Sequence, residues 1–270
     1  MAREPDRYLA ATLAHRDFAS GLAAIAAFSA ELARVPATVS EPMLGSIKLQ
    51  WWRDALAAAR QGTPSGHPVI DALAATLGHH DVDMAAAEAM IEAREMDLAG
   101  TFPTDDASLA AYLDAIEGNA FRLSLAVAGA RGAEADAAAR NAGRAYGLAR
   151  IPGRLLMPAS NGGLPMSAEC LRLEEAESGK PAAAPGPFET TSAVTDVAAG
   201  LRQWARNAHN EAIALRRALP KRARVVLLPL AMVEPYFRDQ SPASRLDRMT
   251  EVSDLARVVR IGWAHFTGRI

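Results

Sequence analysis

The segment from Phe18 to Val39 constrains the fold more than any other part of the chain. Large apolar residues recur in it at spacings of three and four. They are Phe18, Leu22, Ile25, Phe28, Leu32 and Val35. This spacing places them on one face of an α-helix. A long helix with a continuous apolar stripe has to bury that stripe against other elements. The segment therefore predicts a core helix, which ends at Pro36 because proline disrupts helix interiors.

The rest of the chain also favours helices. Half of its 270 residues are hydrophobic and only 6% are aromatic, and alanine is abundant. This composition suits helices better than strands. Apolar periodicity predicts further helices over residues 40–60, 69–77, 83–98, 104–129, 133–150, 197–219, 222–237 and 246–265, and the helix over 222–237 is kinked or broken at Pro229. We predict one all-α domain over residues 1–270, built of antiparallel helices around a cavity or core. Residues 174–196 have no periodic apolar face and are predicted to be a loop.

Charge and cysteine content exclude several classes of protein. The net charge of −2 gives no reason to expect a nucleic-acid partner. Because Cys170 is the one cysteine, neither an internal disulfide nor a thiolate metal cluster can form. The first ten residues have mixed charge without an apolar targeting core. The apolar run that follows is bounded by Asp17 and Glu31 and is too short to span a bilayer. These features predict a cytoplasmic protein, either soluble or peripheral on the inner membrane.

Residues 28–54 carry a family resemblance. The run FSAELARVPATVSEPMLGSIKLQWW, followed by Arg53 and Asp54, resembles the squalene/phytoene synthase family. It is closest to a non-standard branch that includes an assembly factor of respiratory complex I. Weaker matches follow the family's order at Arg7, Tyr8 and Arg16, at residues 91–98 (IEAREMDL) and at residues 112–123 (YLDAIEGNAFRL). The resemblance implies an isoprenoid-synthase-like bundle of antiparallel helices around a central cavity.

The same resemblance implies that the family's metal-binding acids are missing. Family enzymes hold isoprenyl diphosphates through Mg²⁺ bound to two aspartate-rich motifs. Here residues 33–37 read ARVPA where the first motif would stand. Residues 145–151 (AYGLARI) run almost directly into residues 153–158 (GRLLMP), so the second motif is also absent. We therefore predict a non-catalytic protein without a bound metal or other cofactor.

Several residues are candidates for binding a ligand in the cavity. They are Arg16, Arg34, Gln50, Trp51, Asn119, Arg150 and Arg154. Under the preferred hypothesis the protein is a binding or assembly factor that holds an isoprenoid-like lipid. An alternative is a head-to-head prenyl diphosphate transferase that uses Mg²⁺ on the relocated acids Glu31, Glu88 and Glu92. A third hypothesis is a scaffold whose cavity is filled by side chains and which binds only proteins.

The segment from Arg202 to Arg224 is the most basic part of the chain. It holds seven lysines and arginines and one acid, Glu211. Such a segment is typical of a helix that faces an anionic membrane surface or an acidic partner. A solvated helix face is the other interpretation. Proteins of respiratory-complex assembly are the partners that the family resemblance implies.

Overall fold

The computed structural model describes residues 4–39, 41–99, 103, 105–155, 192–238 and 252–270, with side chains except at 152–155, 192–198 and 238. These residues form helices and no strand, so the predicted all-α class is confirmed. In chain order the helices are α1 (Pro5–Thr12), α2 (Arg16–Thr38), α3 (Pro42–Arg60), α4 (Pro68–His79), α5 (Ala85–Ala99), α6 (Asp106–Leu113), α7 (Asn119–Val127), α8 (Ala133–Leu155), α9 (Ser192–Leu215), α10 (Val233–Arg238) and α11 (Asp254–Thr267). A π-helical turn (Asp114–Gly118) joins α6 to α7, and a 3₁₀ segment (Lys221–Met232) precedes α10.

Helix α2 is the central helix of the bundle, as its periodicity predicts. All six residues of its apolar stripe are buried, and the helix packs against α1, α3, α4, α5 and α7. Among the described residues it alone is long and apolar enough to cross a membrane, and its burial identifies it as a core helix. The predicted end at Pro36 is two residues too early, since the helix continues to Thr38. The Thr38 hydroxyl donates a hydrogen bond to the carbonyl of Arg34 at 2.8 Å and so closes this last turn.

The predicted helix over residues 104–129 contains an irregular turn. Its start is confirmed at Asp105, whose side chain forms a capping box with Ser108. The π-helical turn then inserts one extra residue at the point where α8 crosses. Helix α8 makes this crossing with Gly143 and Gly147, which face Gly118 and Leu113. The small residues let the two backbones approach closely and bring the side chains of the π turn against α8.

Two predicted boundaries lie partly outside the described residues. Of the predicted loop 174–196, residues 174–191 are not described, and α9 already begins at Ser192, which corrects the end of the loop. The final helix begins at Asp254 rather than at residue 246, and residues 246–251 lie outside the described part. The predicted helix over residues 222–237 is a 3₁₀ segment as far as Met232, with Pro229 inside it, and becomes α-helical only from Val233.

Candidate functional site

A closed ring of four charges, three of them buried and Arg150 partly buried, joins the start of the chain to the centre of the bundle. Arg7 donates hydrogen bonds to Glu4 at 2.8 Å and to Glu117 at 2.7 Å. Arg150 contacts the same two carboxylates, at 2.9 Å from Glu4 and 3.4 Å from Glu117. Positive and negative groups therefore alternate around the ring, and its formal charge is zero. Glu4, Arg7 and Glu117 are almost fully buried. Each carboxylate is held between two guanidinium groups, which offsets the cost of removing it from water.

Local structure explains how these four residues meet. Glu4 directly precedes α1 and Arg7 lies in its first turn, so one short helix supplies two members. Glu117 lies in the π turn, and Arg150 lies on α8, which crosses that turn. Both guanidinium groups also stack on the ring of Tyr146, at 5.0 Å for Arg7 and 4.8 Å for Arg150. The cation–π contacts with this ring help to hold both guanidinium groups in position.

Electrostatics favour the charged form of both arginines. Burial alone lowers the pKa of Arg7, but Glu117 and then Glu4 raise it above its ordinary value. Burial also lowers the pKa of Arg150. Its charged and aromatic neighbours, chiefly Glu4, outweigh burial and raise the pKa well above the usual range. Burial and the neighbouring Asp6 raise the pKa of the Tyr146 hydroxyl. Both arginines therefore stay protonated and positively charged in the folded protein.

A second buried cluster extends the ring towards the last helix. Asp6 is fully buried and accepts hydrogen bonds from Tyr146 at 2.8 Å and from Tyr236 at 2.5 Å. It also accepts one from Arg257 of α11 at 2.7 Å. Burial and Asp6 raise the pKa of Tyr236, so it stays a neutral donor. Residues 4–7 thus connect α8, α10 and α11, although they are close to the chain's first residue.

The structure assigns the predicted ligand residues on α7 and α8 to internal contacts. Arg150 was predicted to hold a ligand, but its guanidinium is bound by Glu4 and Glu117. Asn119 is buried, donates to the carbonyl of Ala115 at 3.0 Å and accepts from Arg122. Both ends of its side-chain amide are therefore bonded within the fold. The side chain of Arg154 lies outside the described part of the structure.

Three other predicted residues meet at an open cleft between α2 and α3. The cleft has a volume of about 450 Å³, which lies in the range of small-molecule sites. It is lined by Glu31, Arg34, Val35, Thr38, Ile47, Lys48, Trp51, Trp52 and His67. Glu31 and Arg34 pair with each other at 3.0 Å. Lys48 is an exposed cation at this cleft, and half-exposed Trp51 stacks edge-on against Trp52 and His67. The arrangement suits an anionic group beside an aromatic surface.

The remaining predicted residues do not share this cleft. Arg16 is exposed at the start of α2, 3.9 Å from Asp17. Gln50 is exposed on α3 and donates to Asp54 at 2.8 Å. A larger cleft of about 750 Å³, between α4 and the ends of α3 and α5, contains none of the predicted residues.

The acids required by the enzyme alternative are not brought together. Glu88 and Glu92 lie on the exposed face of α5, and neither lines the cleft that contains Glu31. Among the described residues, no three carboxylate, imidazole or thiol groups converge in a way that could hold a metal ion. The buried carboxylates of the ring are already bound by arginines. The described residues therefore do not fit the Mg²⁺ cluster that the family's chemistry implies.

The basic segment Arg202–Arg224 is used mainly inside the fold. Arg202 and Arg206 both pair with Glu234 on α10. Arg216 donates to the carbonyl of Gly268 at 2.9 Å, and Arg224 donates to the carbonyl of Leu219 at 3.2 Å. Four cations of the segment are exposed to solvent. They are Arg206, which pairs with Glu234, and Arg217, Lys221 and Arg222.

The ion pairs of Glu234 predict a pH dependence of stability. Arg206 donates to Glu234 at 2.5 Å and Arg202 at 2.8 Å. The hydrogen bond from Arg206 is the main reason that the pKa of Glu234 falls from 4.5 to about 2. A carboxyl group whose pKa is lowered by folding stabilises the fold above its unfolded pKa, and this stabilisation disappears as the pH falls.

We therefore expect the difference in unfolding free energy between the wild type and Glu234→Gln to be constant near neutral pH. It should shrink as the pH falls from 4.5 towards 2, which urea titrations at successive pH values would measure. A difference that is the same at every pH would contradict this assignment.

The charged ring was not predicted from the sequence, although one signal for it was available. Glu117 interrupts a helix of leucines and alanines. A carboxylate on an apolar face needs a buried cation. The partner Arg7 lies 110 residues away along the chain, and no local pattern connects the two.

Comparisons with known proteins agree with this fold. The sequence profile described as squalene/phytoene synthase matches residues 2–244. A dehydrosqualene synthase solved in complex with a ligand superposes with a TM-score of 0.75 at 18% identity, covering 98% of this chain and 92% of that one. A squalene synthase from Alicyclobacillus acidocaldarius gives a TM-score of 0.67 at 18% identity, over 85% of each chain. At these identities the structural likeness establishes the fold alone.

Curated relatives point to a second group of proteins. Over 146 residues the chain is 28% identical to assembly factor 6 of NADH dehydrogenase (ubiquinone) complex I from Mus musculus and 26% identical to that from Homo sapiens. The match covers 54% of this chain and 44% of those relatives, so it spans less than half of their length.

Proposed function

Because this chain belongs to the squalene/phytoene synthase family, we propose that it is a non-catalytic member that acts as a binding or assembly factor. The observation that carries the proposal is the ring of Glu4, Arg7, Glu117 and Arg150. Metal-dependent condensation of isoprenyl diphosphates needs opposed carboxylates that are free to bind Mg²⁺. Among the described residues, the buried acids Glu4 and Glu117 are both held by two arginines of the protein itself.

The matches to complex I assembly factor 6 support an assembly role over a purely structural one. We propose that the client is a respiratory complex of the NADH dehydrogenase type, and that the protein acts on the cytoplasmic side of the inner membrane. The cleft between α2 and α3 is the place where an isoprenoid-like lipid would bind. Arg34 and Lys48 would contact its anionic end, and Trp51 its hydrocarbon.

One biochemical experiment separates this proposal from the enzyme alternative. We expect purified protein with farnesyl diphosphate and Mg²⁺ to release no pyrophosphate and form no condensed product, while a squalene synthase run in parallel does both. Thermal unfolding should shift upward with farnesyl diphosphate, equally with and without Mg²⁺. Lys48→Ala should reduce the shift, whereas Lys221→Ala, which removes an exposed lysine outside the cleft, should not. Product formation that requires Mg²⁺ would overturn the proposal.

The assembly role is tested in the source organism by deleting the gene and restoring it on a plasmid. We expect the deletion to lower the amount of intact NADH dehydrogenase complex on native gels, and the plasmid copy to restore it. A complex that assembles normally without the protein would contradict the assembly role but not the lipid-binding result.

A further inference from the structure

Helix α11 has one buried face and, opposite to it, an exposed face that is apolar. At about 100° per residue, Arg257, Ile261 and Ala264 lie on one side, and these three are buried. This side packs against the 3₁₀ segment and α1. The opposite side carries Leu255, Val258, Val259, Trp263 and Phe266. All five are exposed, Trp263 to 67% and Phe266 to 92%.

A helix on the surface of a bundle normally carries polar residues on its outward side. Five large apolar side chains on one exposed face, two of them aromatic, form a contiguous patch of the kind that marks an interaction site. Folding does not account for this patch, because the helix is anchored through its other face. The anchor is rigid, since Arg257 binds both Asp6 at 2.7 Å and Asp254 at 2.6 Å.

The charges beside this patch are mainly positive. Arg260 and Arg269 are exposed, and the acid at the start of α11, Asp254, is also exposed but pairs with Arg257. No acidic residue follows Asp254 in the sequence. The end of α11 also contacts the basic segment, because Arg216 donates to the carbonyl of Gly268. The exposed cations Arg217, Lys221 and Arg222 belong to that segment. A second copy of the chain would place like charges against each other at a symmetric interface. An anionic lipid surface attracts the cations and accepts the apolar side chains.

We infer that the outward face of α11 docks the protein on an anionic membrane surface. The helix lies in the plane of the interface, with Trp263 and Phe266 inserted between the lipids and the arginines on the phosphate groups. This inference deepens the proposed function by naming the surface through which the protein reaches the membrane. The evidence for it is the exposure and charge of α11, and it does not depend on catalysis or on the identity of a client protein.

Vesicle flotation with the purified protein tests the inference. We expect binding to vesicles of equal parts phosphatidylcholine and phosphatidylglycerol, and little binding to phosphatidylcholine alone. Binding should weaken as salt is added. The double variant Trp263→Ser/Phe266→Ser should lower the partition coefficient about tenfold or more. The matched control Met43→Ser/Leu44→Ser changes two exposed apolar residues on α3 and should bind like the wild type.

Two results would overturn the inference. One is equal binding of the α11 variant and the wild type to the anionic vesicles, with both shown to be folded by circular dichroism. The other is a wild-type dimer in sedimentation that the α11 variant dissociates, because the face would then be occupied by a second copy. Failure of vesicle binding would leave the gene-deletion result unaffected, so the two proposals can fail separately.

Discussion

Glu117→Gln is expected to lower the free energy of unfolding by about 3–5 kcal/mol, which is the usual cost of breaking a buried ion pair from one side. The substitution keeps the size of the side chain but removes the negative charge that contacts Arg7 at 2.7 Å and Arg150 at 3.4 Å. Of the two carboxylates in the ring, only Glu4 would then keep its negative charge. The amide nitrogen of glutamine would also place a donor against donors.

Urea unfolding monitored by circular dichroism measures this change. The control is Glu92→Gln, an exposed glutamate on α5, which should change stability by no more than about 0.5 kcal/mol. Arg150→Met combined with Glu117→Gln removes one charge of each sign. The double variant should lose less than the sum of the two single losses, with a coupling of about 0.5–3 kcal/mol. Additive losses, or a loss below about 1 kcal/mol for Glu117→Gln, would show that the ring is not a coupled unit.

The stability lost in Glu117→Gln measures the cost of leaving buried charges of the ring without a partner charge. It does not measure the net contribution of the intact ring to the free energy of unfolding. Well-packed apolar side chains can replace a buried ion pair with little loss of stability. A ring of four charges therefore needs a reason beyond stability. Within the proposed function, that reason is specificity: the ring ties residues 4–7 to the π turn and α8 in a single arrangement.

The helices could be predicted from the sequence because their apolar stripes are local patterns. The stripe of α2 and the proline at the start of α3 needed no long-range information. The π turn could not be predicted, because it depends on the approach of α8 twenty-five residues later, where Gly143 meets Gly118. The extension of α2 past Pro36 was missed for a different reason. It is supported by a local hydrogen bond from the Thr38 hydroxyl to the carbonyl of Arg34, which apolar periodicity does not reveal.

The candidate site was predicted only in part, for a related reason. Glu31, Arg34 and Trp51 come from neighbouring helices of the most recognisable segment, and the structure places them at one cleft. Arg150 was singled out because it flanks the missing second motif. Its partners Glu4 and Glu117 belong to segments that only the tertiary fold brings together. Charge pairs at long sequence separation leave no periodic signal.

Gly143→Ala tests the close crossing that positions the ring. A Cβ atom at Gly143 would lie 2.3 Å from the backbone nitrogen of Gly118 and 2.5 Å from its Cα. Because these are backbone atoms of a packed helix, they cannot rotate away, and α8 would have to move off the π turn. Overpacking in a core costs about 1–3 kcal/mol, and more where the neighbour is rigid. We expect a loss at or above the top of that range, measured by urea unfolding.

The matched control is Gly200→Ala, a helical glycine on α9 whose added Cβ meets no atom within 4 Å. It should stabilise the protein by about 0.4–1 kcal/mol, because alanine restricts the unfolded chain and favours the helix. The opposite signs of the two effects separate steric contact from helix propensity. Since Glu117 precedes Gly118 directly, Gly143→Ala should also loosen the ring, and its effect should be less than additive with that of Glu117→Gln. Full additivity would mean that the crossing and the ring stabilise the fold independently.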